Sequence, residues 1–86
     1  MFFVYILKSL RVQRYYVGHT SDLEKRLKEH NTGRTKSTKA YAPWKVVHLE
    51  EFNTKSEAFK RELEIKSFRS GIKFKKLVNL ERWPSG

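Results

Sequence analysis

Hydrophobic and polar positions alternate differently in successive parts of the chain, and three segments have the pattern of β-strands. Residues 2–8 are an almost unbroken run of aromatic and aliphatic side chains, which is typical of a strand buried on both faces. Residues 14–19 follow after a short connection, so a hairpin is the natural link between these two strands. Residues 44–52 predict a third strand.

The first predicted helix covers residues 22–31. Ser21 and Glu24 have the spacing of a capping box, in which the Ser21 side chain accepts the Glu24 N–H at the start of a helix. Gly33 follows the segment and is expected to end the helix. Residues 33–43 then form the only long loop that the pattern predicts, and this loop is polar and basic.

A longer second helix is predicted over residues 56–69, after a capping box formed by Thr54 and Glu57. A terminal helix over residues 72–80 follows a break at Gly71. The apolar positions of the second helix are Ala58, Phe59, Leu63, Ile65 and Phe68. In the terminal helix, Ile72, Leu77 and Leu80 are expected to pack.

The predicted order of elements is ββαβαα, which indicates an α+β fold with a small three-stranded antiparallel sheet flanked by helices. A chain of 86 residues has room for one domain. We therefore expect residues 1–82 to form a single domain and residues 83–86 to form a loose C-terminal tail.

The composition excludes several classes of protein. The chain has no cysteine, so thiol catalysis, cysteine-ligated zinc and iron–sulfur chemistry are excluded. No apolar run approaches the roughly 18–20 residues that a membrane span needs. The opening apolar segment is too short, and too quickly followed by charge, for a signal peptide. These features predict a soluble cytoplasmic protein without a membrane partner.

The charge of the chain indicates the kind of partner. Nineteen Lys and Arg residues outnumber nine Asp and Glu residues, which gives a formal net charge of +10. A folded domain with this excess presents a strongly positive face, whose natural partner is a polyanion. We expect this partner to be nucleic acid, with DNA as the first choice, and the sequence leaves the oligomeric state open.

Five polar side chains have an order and spacing that indicate a catalytic site. Tyr5 lies in the first predicted strand, and Tyr16, eleven positions later, begins the Tyr-Val-Gly that closes the second. Arg26 follows Tyr16 by ten positions and shares a helix face with His30. Glu62 lies on the second long helix. In this arrangement, nearly the whole chain resembles the GIY-YIG nuclease superfamily, in particular its small bacterial stand-alone members.

The resemblance implies a metal-dependent DNA endonuclease or nuclease-like repair protein that hydrolyses phosphodiester bonds with low sequence specificity. It also implies that Glu62 holds the metal, Mg²⁺ or Mn²⁺. The implied catalytic residues are Tyr5, Tyr16, Arg26, His30 and Glu62. The chain departs from the family pattern at Phe3, where the first motif has Gly, and at His19, where some family nucleases have Lys.

The chemistry of these residue types is compatible with phosphodiester hydrolysis. Arg26 offers a planar donor fork that matches phosphate. Glu62 is a hard oxygen ligand, and one carboxylate with waters and substrate phosphate is a common way to hold Mg²⁺. Tyr5 or Tyr16 could be the general base if nearby cations lower its pKa from about 10, and we lean slightly to Tyr16. His30 could relay a proton near neutral pH.

A second set of residues is expected to contact nucleic acid. Gly18 would let the backbone approach the substrate where a side chain would obstruct it. The basic loop lies after the helix that carries the candidate catalytic residues, so phosphate contacts are expected there. The complete predicted set is Gly18, His19, Arg34, Lys36 and Lys39.

Other interpretations are compatible with the same residues. Taken singly, Tyr5 and Tyr16 would be packing residues and Glu62 a member of surface ion pairs. A non-catalytic nucleic-acid-binding module that retains the nuclease fold needs only the basic surface. A basic structural protein of a ribonucleoprotein is a third, weaker alternative. The five-residue set favours the enzyme, since a binding module has no need of all five.

Overall fold

A computed structural model describes residues 1–34, 36–69 and 71–79 of the chain. In chain order the elements are β1 (Phe2–Ser9), β2 (Tyr15–Thr20), α1 (Leu23–Asn31), α2 (Lys36–Lys39), β3 (Trp44–Phe52), α3 (Lys55–Ser67) and α4 (Ile72–Asn79). The predicted α+β fold class is confirmed, and α2 adds a short helix that the pattern did not predict. Leu80 and the predicted tail over residues 83–86 lie outside the described residues.

The three strands form one antiparallel sheet in the order β2-β1-β3, so β1 is the central strand. Val4, Tyr5, Ile6 and Leu7 are consecutive residues of β1 and are all buried. Side chains of a strand alternate between the two faces of a sheet, and helices cover both faces here. This arrangement explains why β1 lacks the polar alternation of a strand with one wet face.

The two faces of the sheet have separate cores. On the face that packs against α3 and α4, hereafter the α3 face, the buried core residues are Val4, Ile6, Val17, Val47, Ala58, Ile65, Phe74 and Val78. On the opposite face, hereafter the α1 face, the buried residues are Tyr5, Leu7 and Trp44. Leu23 and Leu27 of α1 pack against this second cluster. The sheet is therefore the middle of three layers.

A β-bulge in β3 changes which residues share a face. Strict alternation predicts that Val46 and His48 lie on the same face, but Leu7 pairs with Val46 while the adjacent Ile6 pairs with His48. Val47 is the additional residue, and it joins the core of the α3 face. Val46 packs against the core of the α1 face, so the bulge places Val46 and His48 on opposite faces of the sheet.

The start of α1 differs by one residue from the prediction. Asp22, not Ser21, is the N-cap, and its Oδ1 accepts the backbone N–H of Lys25 at 3.1 Å. Aspartate and serine are about equally good N-caps, so the sequence pattern does not decide which of the two adjacent residues caps the helix. The expected end is confirmed, since Thr32 caps the helix and Gly33 has a φ of 81°, a conformation that favours glycine.

The predicted long loop contains α2. Thr38 is the buried member of this helix among the side chains described there, while Lys36 and Lys39 are exposed. The indole Nε1–H of Trp44 donates to the Thr38 carbonyl at 2.9 Å and ties the segment to β3. This contact is not visible in a polar and basic stretch of sequence, because tertiary packing determines it.

The predicted cap at Thr54 is confirmed, because the Thr54 side chain accepts the Glu57 N–H at 3.2 Å, and the Thr54 hydroxyl donates to Glu57 Oε1 at 3.1 Å. Of the apolar positions along α3, Ala58 and Ile65 are buried, but Phe59 and Leu63 are about half exposed. The stripe that faces the sheet comprises Ala58, Glu62 and Ile65, which have helical spacing, and Phe59 and Leu63 are rotated away from it.

In α4 the expected packing is partly wrong. Ile72 is 74% exposed, while Phe74 and Val78 are buried and Leu77 packs at the edge of their core. Phe74 and Val78 are four positions apart, so they form one face that excludes Ile72. In the ranges that the structure covers, no helix has the length and apolar character needed to cross a membrane.

Candidate active site

The two candidate tyrosines lie on the α1 face of the β1–β2 hairpin. Tyr5 pairs with Gly18 and Tyr16 pairs with Leu7, and the two aromatic rings are tilted with their centroids 6.2 Å apart. Tyr5 is 1% exposed. A Cβ atom at Gly18 would lie only 2.7 Å from the Tyr5 hydroxyl and 3.0 Å from Tyr16 Cε2. Gly18 is therefore required to make room for the Tyr5 side chain, a reason that is separate from the predicted substrate approach.

His30 reaches this pair of tyrosines from α1. Its side chain is fully buried, and Nε2 lies 3.2 Å from the Tyr5 hydroxyl. The His30 and Tyr16 rings are also in contact, with centroids 4.7 Å apart. Burial lowers the pKa of His30 to about 4, and the positive charge of Arg26 adds to this effect. At neutral pH the ring is therefore neutral, with one nitrogen as donor and the other as acceptor.

Arg26 lies one helical turn before His30 and contributes the positive charge. Its Nη1 donates to Glu29 Oε1 at 3.0 Å. Burial opposes the charged form, but interactions with Tyr5 and Glu29, and more weakly with Tyr16, raise the pKa of Arg26 above its ordinary value. The guanidinium is thus charged and close to both phenol groups.

The Tyr5 hydroxyl keeps its proton at neutral pH. Burial raises the pKa of Tyr5 to about 12, although Arg26 lowers it in part. The charge of Glu62 is among the smaller causes that raise this pKa. The Glu62 carboxylate therefore lies within electrostatic range of the tyrosine cluster, even though it comes from a helix on the other face of the sheet.

Glu62 is held by two donors. His19 Nδ1 lies 2.5 Å from Oε1, and Lys66 Nζ lies 2.6 Å from Oε2. The carboxylate residue is 8% exposed. Burial alone would raise the pKa of Glu62, but Lys66 and His19 outweigh it and the pKa is lowered. Glu62 is therefore an ionised and nearly enclosed carboxylate.

The described residues could hold a metal ion only through a single carboxylate, with the other ligands coming from water or substrate. Within residues 1–34, 36–69 and 71–79, no three Asp, Glu, His or Cys side chains are grouped so that they could hold a metal ion. One carboxylate with waters and substrate phosphate is nevertheless sufficient for Mg²⁺. The ionised Glu62 supplies such a ligand, provided that the cation replaces Lys66 or His19 at one of its oxygens.

The predicted nucleic-acid contacts are only partly close to this cluster. His19 pairs with Val4 and faces α3, where its ring contacts Phe59 at a centroid distance of 5.6 Å. Arg34 is exposed and borders a depression of about 240 Å³ that Lys25, Lys28, Glu29 and Thr32 also line. Lys36 and Lys39 are exposed on α2. The structure therefore has exposed basic side chains along α1, on α2 and at Arg34 between them.

Two polar residues of this region were missed in the sequence. Thr38 Oγ1 lies 2.8 Å from His30 Nδ1, and no local pattern indicated this contact. Glu29 could have been found, because it lies three positions after Arg26 on the same helix. The ion pair between Glu62 and Lys66 matches the alternative in which Glu62 belongs to ion pairs.

Comparison with known proteins identifies the family of the chain. Residues 1–73 match the model of the GIY-YIG family, whose description is the GIY-YIG catalytic domain. The chain belongs to the GIY-YIG family. This is a family of nucleases, so nucleic acid is the implied substrate, and its members generally use divalent metals.

The relatives are small proteins of similar length. A UPF0213 protein of Staphylococcus saprophyticus is 45% identical over 74 residues, which is 85% of this chain and 89% of the relative. A UPF0213 protein of Listeria welshimeri is 42% identical over 80 residues, or 92% and 88% of the two chains. The solution NMR structure of a UPF0213 protein from Bacillus halodurans has a TM-score of 0.57 and 35% identity, covering 93% of this chain and 85% of that one.

Proposed function

We propose that this protein is a divalent-metal-dependent DNA endonuclease that hydrolyses phosphodiester bonds with low sequence specificity. The observation that supports the proposal most strongly is the convergence of Tyr5, Tyr16 and His30 around a charged guanidinium, with an ionised carboxylate in electrostatic range. The chain belongs to a family of nucleases, and this combination of groups is suited to phosphodiester hydrolysis.

Arg26 and Glu62 are the charged members of the proposed site. Arg26 would bind a non-bridging phosphate oxygen, and its charge would stabilise the additional negative charge of the transition state. Glu62 would hold Mg²⁺ or Mn²⁺, and the bound cation would supply Lewis-acid polarisation of the phosphate. His19 and Lys66 keep the carboxylate ionised in the free protein.

The two tyrosines receive different roles. Because Tyr5 is buried and has a pKa of about 12, we assign it a protonated, hydrogen-bonding role in which it orients water or phosphate. Tyr16 is only partly buried, and we propose that its deprotonated form is the general base that takes the proton of the attacking water. His30 remains neutral and acts by positioning the Tyr5 hydroxyl.

Low sequence specificity is proposed from the charge of the chain. A net charge of +10 favours contacts with phosphate, which position a protein on nucleic acid without reading its sequence. Arg34, Lys36 and Lys39 are the exposed cations that we expect to contact phosphate beside the site. The predicted contacts at Gly18 and His19 and the predicted cytoplasmic location remain part of the proposal.

The direct test is cleavage of supercoiled, single-stranded and branched DNA, and of matched RNA, with Mg²⁺, with Mn²⁺ and with a chelator. We expect metal-dependent cuts in DNA at many positions. Loss of cleavage with every substrate and both metals would refute the nuclease proposal, and cleavage of RNA alone would refute the choice of DNA.

A specific observation favours the non-catalytic binding module as a second candidate. Both oxygens of Glu62 already have partners in His19 and Lys66, so the carboxylate is stable without a metal. In that case the protein would bind nucleic acid without cutting it.

Binding can be tested separately from cleavage. The logarithm of the binding constant on duplex DNA should fall with the logarithm of salt concentration, by roughly 0.9 for each neutralised phosphate. Joint replacement of Arg34, Lys36 and Lys39 by Gln should flatten this slope. Joint replacement of Lys45, Lys55 and Lys60 by Gln, which removes the same charge elsewhere, is the matched control. Salt-insensitive binding, or no binding at low salt, would contradict both functions.

A further inference from the structure

A buried row of hydrogen-bonding groups connects the Tyr5 hydroxyl with α2. Nε2 of His30 lies 3.2 Å from the Tyr5 oxygen, and Nδ1 of the same ring lies 2.8 Å from Thr38 Oγ1. Tyr5, His30 and Thr38 are at most 1% exposed. Water therefore has little access to these groups, and each hydrogen bond depends on its protein partners.

The main chain of Thr38 is anchored as firmly as its side chain. The Trp44 indole, on a residue that is 4% exposed, donates to the Thr38 carbonyl at 2.9 Å. The Tyr41 N–H also donates to this carbonyl, at 3.2 Å. Thr38 is consequently fixed to the start of β3 and to α1 at the same time. On either side of it in α2, Lys36 and Lys39 are exposed to solvent.

The chemistry of a neutral imidazole explains why a hydroxyl is suited to this position. One ring nitrogen donates and the other accepts, so the partners at the two ends must take opposite roles. If Tyr5 donates to Nε2, the Nδ1–H donates to Thr38; if Tyr5 accepts from Nε2–H, Thr38 donates to Nδ1. A hydroxyl group can do either, whereas an aliphatic side chain of the same shape can do neither.

We propose that Thr38 is a positioning residue for the catalytic site: through His30 it sets the orientation and hydrogen-bonding role of the Tyr5 hydroxyl. The same short helix carries the exposed Lys36 and Lys39, so α2 would link the proposed phosphate-contacting surface to the buried side of the site. The inference rests on the proposed nuclease function for its effect on catalysis. Its structural part, the control of the His30 ring by Thr38, can be measured without any cleavage.

The test compares Thr38→Val, which has the same shape without the hydroxyl, with Thr38→Ser, which retains the hydroxyl. Thr32→Val is the matched control, because this exposed threonine at the end of α1 bonds only backbone carbonyls among the described contacts. Long-range ¹H–¹⁵N spectra of the full chain report which imidazole nitrogen carries the proton. Single-turnover cleavage and DNA binding are measured on the same variants.

We expect Thr38→Val to change the His30 ¹⁵N shifts and to lower the single-turnover cleavage rate by roughly 10-fold or more, with little change in DNA affinity. Thr38→Ser and Thr32→Val should both give the wild-type ¹⁵N shifts of His30 and the wild-type cleavage rate. If Thr38→Val does not fold, Thr38→Ala removes the same hydroxyl without a crowded methyl group.

Wild-type ¹⁵N shifts in the folded hydroxyl-free variant would overturn the inference, and so would altered shifts with an unchanged single-turnover cleavage rate. If the wild-type protein cuts no DNA, the proposed function and the catalytic part of the inference fail together. The ¹⁵N shifts would then still decide whether Thr38 controls the His30 ring.

Discussion

On the α1 face of the sheet, Tyr5, His30 and Thr38 form a row of buried neutral groups, whereas on the α3 face the buried Glu62 and the half-buried Glu50 are ionised and paired. Glu62 contacts His19 and Lys66, and Glu50 contacts His48 and Arg61. The burial of Tyr5 and His30 favours their neutral forms, which raises one pKa and lowers the other. At Glu50 and Glu62 the basic partners overcome the effect of burial and lower the pKa.

The two faces of the sheet hold their candidate catalytic groups in different ways. Neutral hydrogen bonds hold the α1 face in one geometry and remain insensitive to pH near neutrality. The paired carboxylate on the α3 face has a charge that a divalent cation could use in place of its present partners. Glu50 differs from Glu62 because Arg61 binds both of its oxygens, with Nε at 2.9 Å and Nη2 at 3.0 Å, in a fork that stabilises the fold.

The largest effect is expected on the α3 face. Glu62→Gln should abolish metal-dependent cleavage while DNA affinity stays nearly unchanged, because the amide keeps the shape of the side chain but cannot hold a hard dication. Cleavage and binding are measured together with thermal unfolding. Glu64→Gln, on an exposed position of the same helix, is the control. Wild-type cleavage by Glu62→Gln would show that the metal assignment is wrong.

The next largest effect distinguishes the two tyrosines of the α1 face. Tyr16→Phe should lower the cleavage rate by roughly 100-fold or more, as expected for the loss of a general base. Tyr5→Phe should cost less, because its buried hydroxyl is protonated and orients other groups. Tyr15→Phe is the matched control, since Tyr15 packs against Phe74 with a centroid distance of 5.1 Å. The reverse ranking would assign the base to Tyr5.

A smaller effect tests the pairing of Glu62 directly. Lys66→Met should raise the affinity for Mn²⁺ by roughly 2- to 5-fold, because the partly exposed ammonium group and the metal compete for the same carboxylate oxygen. Paramagnetic broadening of the Glu62 side-chain signals measures this affinity without cleavage. Lys60→Met removes an exposed charge from the same helix and should change it less. Equal or weaker Mn²⁺ binding by Lys66→Met would contradict competition between lysine and metal.

Stability, as distinct from activity, is expected to depend on pH through His30. The pKa of this ring is about 4 in the folded protein and 6.5 in its ordinary state, so the unfolded chain binds the proton more tightly. The contribution of His30 to the free energy of unfolding should therefore be complete above pH 6.5 and should decrease as the pH drops from 6.5 to about 4. The slope from one proton is at most about 1.4 kcal/mol per pH unit.

Urea unfolding across this range provides the measurement, and His30→Gln is the variant. It should show a flatter profile than wild type above pH 4.5, whatever its absolute stability. His19 and His48 are present in both proteins, so their contributions largely cancel in the difference. Parallel profiles for the two proteins would show that the buried ring takes up its proton as easily as an exposed one.

Local pattern was sufficient for most of the secondary structure. The aromatic and aliphatic run of β1, the bounds of β3 and the cap at Thr54 agree with the prediction, because each depends on neighbours a few positions away. The side of the sheet shared by Tyr5 and Tyr16 follows from the alternation of two paired strands, and the approach of Arg26 and His30 from helical spacing.

Tertiary structure decided what distant elements bring together. Thr38 meets His30, and His19 meets Glu62 across 43 positions of sequence, because α2 packs against α1 and α3 packs against β2. The bulge at Val47 and the exposure of Phe59 likewise depend on strand register and on the rotation of a helix over the sheet. Periodicity determines which residues share a face, but only the packing of those faces determines which polar atoms come within hydrogen-bonding distance.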